Sequence, residues 1–398
     1  GKFVKKMEQL GLRTEKGFAI TGVKAYLNED KKENASLALL GELDALRIPE
    51  HAFANPETNA AHCCGHHAQM AGVFGAALAL TVPEIAEKLD GQVVFFATPA
   101  EEYGEIEFKN QLREQGKIRY GGGKCELLRI GAFDDIDLCL THHIRPGNEI
   151  LVGSGTGNGF VSKVIRVLGK ASHAAGAPEK GVNALSAASL GLQALGLNRE
   201  TFRDEDCVRV HPIITKGGNL VNVIPDEVVV ETLVRGKTIE AFTDAAKKTD
   251  RSFKAGAIAM GAKVEISTLP GYLPTLAEEA LPELKHAAEI SASGIPVIEA
   301  SGHAGGSTDV GDVQHLMPVY TFNTGGVKGG LHQIDFEVTD EEEAYIVTAK
   351  MFALAAYGLL KEKAQRSREL VDQYEPVFKN SAEYVEFMEQ FDSKEIFE

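Results

Sequence analysis

The chain has no tryptophan, and aromatic residues of all kinds make up only 7% of its 398 residues. No stacking platform for a ring or a nucleobase can be pointed to. Cations are scarce beside anions: 41 Lys and Arg against 57 Asp and Glu leave a net charge of −16. That balance argues against nucleic acid and anionic membrane as partners, because both are bound through basic surfaces. No apolar run reaches the roughly 18 residues that a bilayer span requires. Cysteines number five, two of them adjacent, which does not make a disulfide framework. Cys125, Cys139 and Cys207 lie in or beside apolar runs and read as core residues. The opening residues Gly1 to Met7 hold no long apolar core of a signal peptide. With Gly at position 1, a clipped start is the expectation, and the cytoplasm is the expected compartment.

What is present is ordinary soluble-protein material, with 44% hydrophobic and 25% charged residues. The length favours two domains. Apolar runs at Gly17 to Leu27, Ala35 to Leu46, Gly91 to Thr98 and Asp137 to Thr141 read as strands. They alternate with helical patterns at Ala68 to Leu80 and Phe108 to Gln115. Alternation of this kind predicts an α/β fold with a mainly parallel sheet, whose ligands collect at strand ends. The glycine-rich stretch Gly153 to Gly159 reads as a hinge. Beyond it the pattern is strand, helix, two strands, helix, strand, which fits an inserted ferredoxin-like α+β domain. Pro270-Gly271 and Pro274 mark the return. The expected division is 1–157 plus 273–398 for the first domain and 158–272 for the insert. Thr339 to Glu342 reads as a capping box starting a helix to about Leu360, and the charged tail from Lys361 reads as helical.

Three segments carry the chemistry. His62-Cys63-Cys64-Gly65-His66-His67 holds five metal-capable side chains around a glycine. Pro99-Ala100-Glu101-Glu102 ends one apolar run, and Thr141-His142-His143 ends another. Cys64 and His66 are the sort of thiolate and imidazole donors that bind zinc and other divalent transition metals. A buried free cysteine beside helix-capping histidines would give the same triplet. A closed structural zinc site would want a second close ligand pair, such as C-x-x-C, and there is none. Paired carboxylates after a buried strand divide naturally, one binding metal and the other moving a proton. The alternative is a solvated turn. His143 and the late Leu331-His332 complete the candidates. Gly121-Gly-Gly-Lys124 is no phosphate loop: the preceding spacing is absent and Cys125 follows where Ser or Thr is required.

As a set, the H-x-C-G-H, P-A-E-E and late L-H motifs resemble the two-metal amidohydrolase and aminoacylase peptidase family. Gly306 to Asp312 and the run from Gly121 to Asp137 are most similar to its p-aminobenzoyl-glutamate hydrolase-like members. The likeness covers roughly residues 15 to 360. It implies a metal-binding catalytic domain with an inserted lid and dimerisation domain, and hydrolysis of N-acyl or N-aroyl amino acids. It implies two divalent metal ions per subunit, zinc or manganese, on Cys64, His66, Glu102, His143 and His332, with Cys64 bridging. Thiolate ligation leans toward zinc. Glu101 is implied as general base, taking the proton of the attacking water and passing it to the leaving amine. Asp44, in Glu42-Leu-Asp-Ala-Leu, is implied to sit behind the ligands and orient them. His173 is implied to reach the active site of a partner subunit in a homodimer. Asn222 and Arg235 are implied to hold the substrate carboxylate, a task suited to the guanidinium fork. Two departures stand out: His67 replaces a common aspartate and Gln69 a common histidine. Either alters the surroundings of the ligands. Two other functions remain in view, a metallo-exopeptidase acting on dipeptides and a non-catalytic binding relative with a drifted metal site.

Overall fold

The computed structural model describes residues 1–398 and divides the chain into two compact units. One comprises Gly1–Thr156, Leu276–His303 and Asp312–Tyr384; the other comprises Gly157–Thr275, Ala304–Gly311 and Val385–Glu398.

The first unit is built on an eight-stranded sheet. Its centre is four parallel strands in the spatial order Gln92–Thr98, Ser36–Glu42, Leu138–Ile144 and Val319–Thr324. The first two of these are buried along their whole length, as near-continuous apolar runs in a parallel sheet should be. Helices supply the cover. His66–Leu80 packs on the long helix Thr348–Gln373, and their apolar faces join one core with the strands. The segment Glu342–Gln373 is long and apolar enough to pass for a bilayer span by length and composition. Its large residues Met351, Phe352, Leu359 and Leu360 are instead fully buried in the core. Each such side chain contributes about 1.5–3 kcal/mol by leaving water.

The second unit carries an antiparallel sheet with helices Ala184–Asn198 and Ile239–Met260. Its strand order is Arg209–Val210 and Ile213–Lys216, then Glu227–Gly236, Gly159–Leu168 and Lys263–Tyr272. This is the expected strand-helix-strand-strand-helix-strand arrangement, to which one strand is added.

That addition corrects the reading of the tail. Ser393–Phe397 is a strand, not a helix, and pairs antiparallel with Lys263–Tyr272. The last residues therefore belong to the second unit's sheet, whereas the sequence pattern assigns 273–398 whole to the first domain. Ala304–Gly311 also falls in the second unit. Two smaller differences follow from turn chemistry. Gly17 to Leu27 is not one strand but half of a hairpin, Arg13–Phe18 against Gly22–Leu27, turned by Ala19 and Ile20 at positive φ. The cap before the last long helix is Asp340 and not Thr339: its Oδ1 accepts the Glu343 N–H at 3.0 Å.

Candidate metal centre

Every candidate residue of the first unit sits at or just past the C-terminal end of a parallel strand, or on a loop brought to it. Ser36–Glu42 ends in Glu42 and leads to Asp44; Gln92–Thr98 leads to Glu101 and Glu102; Leu138–Ile144 contains His142 and His143. Cys64 and Gly65 lie just ahead of the helix that His66 opens. Gly65 sets the approach. It holds φ +90°, and a Cβ there would lie 2.0 Å from Ile144 Cγ2. Only a residue without a side chain lets this loop lie flat on the end of the His143 strand. Gly65→Ala is therefore expected to destabilise the fold by about 2–4 kcal/mol, combining left-handed backbone strain with overpacking. Urea unfolding would measure it, and an unchanged midpoint would contradict the packing argument.

The loop's placement brings the donors together. Cys64 Sγ stands 3.3 Å from His143 Nε2 and 3.1 Å from His332 Nε2. His332 Nε2 stands 3.2 Å from Glu102 Oε1. The His332 backbone N–H donates to Cys63 O at 2.8 Å, which ties the late glycine-rich loop to the cysteine stretch. Three donor groups result, each with its atoms within 4.8 Å of one another: Cys64, His66 and His143; Cys64, Glu102 and His332; Glu42, His66 and Glu101. Cys64 is common to two of them and His66 to two, so the groups form a continuous row.

Hydrogen bonds behind these residues fix which atoms face the row. His143 Nδ1–H donates to Ile144 O at 2.7 Å, leaving the Nε2 lone pair toward Cys64. Burial, helped by His66, lowers its pKa and keeps it a neutral imidazole. His66 turns Nδ1 to Asp44, 3.2 Å from both Asp44 O and Oδ1. Its Nε2 lies 3.2 Å from Glu42 Oε2 and 3.9 Å from Glu101 Oε2. Asp44 Oδ2 also accepts the Glu102 N–H at 2.9 Å. Burial works to raise the Asp44 carboxyl, but His66 and that N–H overcome it and hold it at about 2.

The donor set fits divalent cations. His66 Nε2 and Glu102 Oε1 are buried and make no aligned hydrogen bond, although each has a titratable neighbour at 3.2 Å. Donors that crowd without pairing are aimed at a common charge. Burial, opposed in part by His66 and reinforced by Glu102, pushes the Cys64 thiol up to about 12. A cation alongside is what would make a thiolate of it. The carboxylates Glu42 and Asp44 overcome burial and hold the His66 imidazole well above its ordinary range. A pocket this acidic is one that divalent ions would neutralise.

Sequence reasoning misses Glu42 and the partner that holds it. Glu42 closes its strand two residues before Asp44, a nearness of carboxylates that could have flagged it. Its other oxygen meets Lys124 Nζ at 2.5 Å, and both side chains are buried. Gln69 accepts the Glu42 N–H at 2.7 Å and donates to His142 O at 2.6 Å, bracing two strand ends. His142 itself is a core residue, its Nε2 2.8 Å from Thr324 Oγ1. His67 packs between the rings of His62 and Tyr345, with centroids at 5.5 and 6.0 Å. Burial first, then His62 and His66, lower its pKa to about 4.

His173, Asn222 and Arg235 lie in the second unit. The His173 and Asn222 loops are bridged, with Ala174 N–H donating to Asn222 O at 3.0 Å. His173 Nδ1 accepts the N–H groups of Ala175 and Gly176 at 3.2 and 3.0 Å, so its ring proton resides on Nε2. Arg235 extends from Glu227–Gly236, donates to Ser307 Oγ at 2.8 Å and lies over the Phe160 ring.

Residues 38–357 match the description of peptidase family M20/M25/M40. A mouse Xaa-Arg dipeptidase is 28% identical over 311 residues, covering 76% of this chain and 64% of that one. The chain thus spans less than two thirds of that relative's length. A p-aminobenzoyl-glutamate hydrolase polypeptide from Escherichia coli K12 is 30% identical over 239 residues, covering 58% of this chain and 44% of that one. Among solved structures, a dinuclear metal-binding M20 peptidase from Bacillus subtilis superposes with a TM-score of 0.60 at 23% identity, covering 90% of this chain and 91% of that one. At that identity the last likeness is one of fold.

Proposed function

The chain belongs to peptidase family M20/M25/M40, and we propose that it hydrolyses the amide bond of N-acyl or N-aroyl amino acids, releasing the free amino acid. One observation carries this reading. Cys64 serves two donor groups at once, and the adjacent carboxylates Glu101 and Glu102 are divided between groups. Two divalent ions, zinc or manganese, held by Cys64, His66, Glu102, His143 and His332, would supply Lewis acidity to a carbonyl and acidity to water. Glu101 takes the proton of the attacking water and delivers it to the leaving amine. Asp44 holds His66 by Nδ1, so that Nε2 is presented. His173 of the partner subunit donates from Nε2 to the developing oxyanion. Asn222 and Arg235 take the substrate carboxylate.

A homodimer through the second unit is part of this proposal. Its support is an edge strand, Ile213–Lys216, exposed at every residue, beside Leu220 at 65% and Val221 fully exposed. Bare apolar edges of this kind call for a cover.

A second reading, a metallo-exopeptidase acting on dipeptides, draws on the dipeptidase name of the mouse relative. Metal quantification with a matched panel of N-acyl amino acids and dipeptides separates the two. We expect metal in the pure protein and a kcat/KM at least about tenfold higher on the acyl compounds, a difference of about 1.4 kcal/mol in transition-state binding. The reverse preference makes it a dipeptidase. No bindable metal and no turnover would make it a binding protein.

A further inference from the structure

A cavity of about 630 Å³ opens beside the metal centre, with Asp44 and Glu102 in its wall. That is room for a sizeable organic group. One wall is the helix Ile106–Glu114, which follows the paired carboxylates after a turn strained at Ala100, Tyr103 and Glu105, all at positive φ. None of that helix's residues is buried, although it carries Ile106, Phe108 and Leu112. Phe108, 55% exposed, and Leu112 both line the cavity, together with Tyr103, Leu46 and Ile118. An apolar face that covers no core and instead borders a void beside the reacting groups is placed for a ligand.

The charges in the wall identify which side of an amide belongs there. Its four carboxylates are already engaged. Asp44 and Glu102 are tied to His66 and His332; Glu105 faces Arg47 at 3.9 Å; Glu126 accepts the Arg119 and Tyr120 N–H groups at 3.1 and 3.0 Å and pairs with Arg129. Only Glu105, loosely paired with Arg47 across two exposed side chains, is placed to meet the ammonium of a dipeptide, and it lies at the solvent edge of the wall. Of the cations, Arg47 faces Glu105 and Lys109 lies over the Tyr103 ring, while Lys117 is exposed to solvent. Lys117 keeps its ammonium in solvent, so an uncharged group meets balanced charge in the rest of the wall; a charged one buried there would lose its hydration without recompense.

Resting on the function proposed above, we infer that this cavity receives the apolar acyl side of the substrate, aryl or medium-chain aliphatic, and that Phe108 and Leu112 limit its size. The test compares N-acetyl, N-benzoyl and N-decanoyl derivatives of one amino acid on the metal-loaded protein and its Leu112→Trp variant. The wild type should prefer the larger acyl groups. Leu112→Trp should lose about tenfold or more in kcat/KM on them, with the acetyl compound unchanged. Phe108→Ala, at an exposed position that costs the fold little, should weaken the larger substrates several-fold and spare the acetyl one. Equal effects on all three substrates, or a wild-type preference for acetyl, overturn the inference while leaving the amidohydrolase reading standing. Calorimetry with benzoate and decanoate separates the two ideas. If no amide is cleaved, but either acid binds the wild type and not Leu112→Trp, the function fails and the cavity assignment survives. If neither acid binds, the assignment falls.

Discussion

Glu101→Ala is expected to retain its full complement of metal and to lose kcat by about 10²–10⁴-fold, the usual worth of a positioned general base. The expectation rests on how two adjacent carboxylates are divided. Glu102 has an oxygen 3.2 Å from His332 Nε2, and its backbone N–H is fixed by Asp44. It belongs with Cys64 and His332. Glu101 faces the other way, 3.9 Å from His66 Nε2, with its side chain 12% exposed. At that distance it borders the row of donors and can reach water held there. Glu101→Gln keeps the shape but lacks the basic oxygen, and should be as slow as the alanine variant. Glu102→Ala should behave differently and lose metal. Metal analysis alongside steady-state kinetics decides the matter. A Glu101 variant that loses metal would move Glu101 among the ligands, where its grouping with Glu42 and His66 already makes it eligible. A variant with ordinary turnover would remove it from the chemistry.

The parts of this site legible in the sequence are those for which local pattern and tertiary position coincide. The run Val93 to Ala97 is apolar throughout because its strand is buried on both faces, so Glu101 and Glu102 stand out as the first charges beyond it. His143 emerges by the same logic. Cys64 and His66 are visible because Gly65 punctuates them, and the structure gives that glycine a steric reason. What stayed hidden depends on partners far along the chain. Glu42 closes an apolar strand and looks like an ordinary terminus until Lys124, 82 residues on, is placed against it. Lys124 invites only a phosphate-loop comparison, because three glycines precede it. The third, Gly123, is there because a Cβ would lie 1.5 Å from Pro99 O; it lets the next helix abut the loop carrying the carboxylates. The last strand, Ser393–Phe397, is exposed over most of its length and is made by its pairing with Lys263–Tyr272. No period in its own residues announces it. The first hairpin turn puts Ala and Ile where Gly or Asn would signal positive φ.

Cys64→Ser should disable the metal centre more thoroughly than any other single ligand change. Cys64 and His66 each serve two groups and the other donors one, but Cys64 alone joins the two groups that hold His143 and His332, whose Nε2 atoms lie 3.3 and 3.1 Å from the same sulfur. Removing it opens both groups together. A serine hydroxyl is a far poorer anion than a thiol, and the burial that pushes the Cys64 thiol up to about 12 would oppose its ionisation more strongly still. Loss of partners that merely orient metal ligands already costs about 10–100-fold in affinity, so loss of a shared ligand should cost at least about 100-fold and take turnover with it. Equilibrium dialysis against zinc and against manganese would measure the loss. Cys63→Ala is the control: that thiol is fully buried, points at Ala61 O and belongs to the small core formed with Ile144 and Phe336. It should lower stability and leave the metal count intact. If Cys64→Ser binds both ions as the wild type does, the sulfur is a bystander in the loop. The row must then be held by imidazoles and carboxylates alone, with Glu42 the foremost candidate to replace it. If instead one ion is lost and the other kept, Cys64 serves a single site, and the retained metal would identify which histidine it shares.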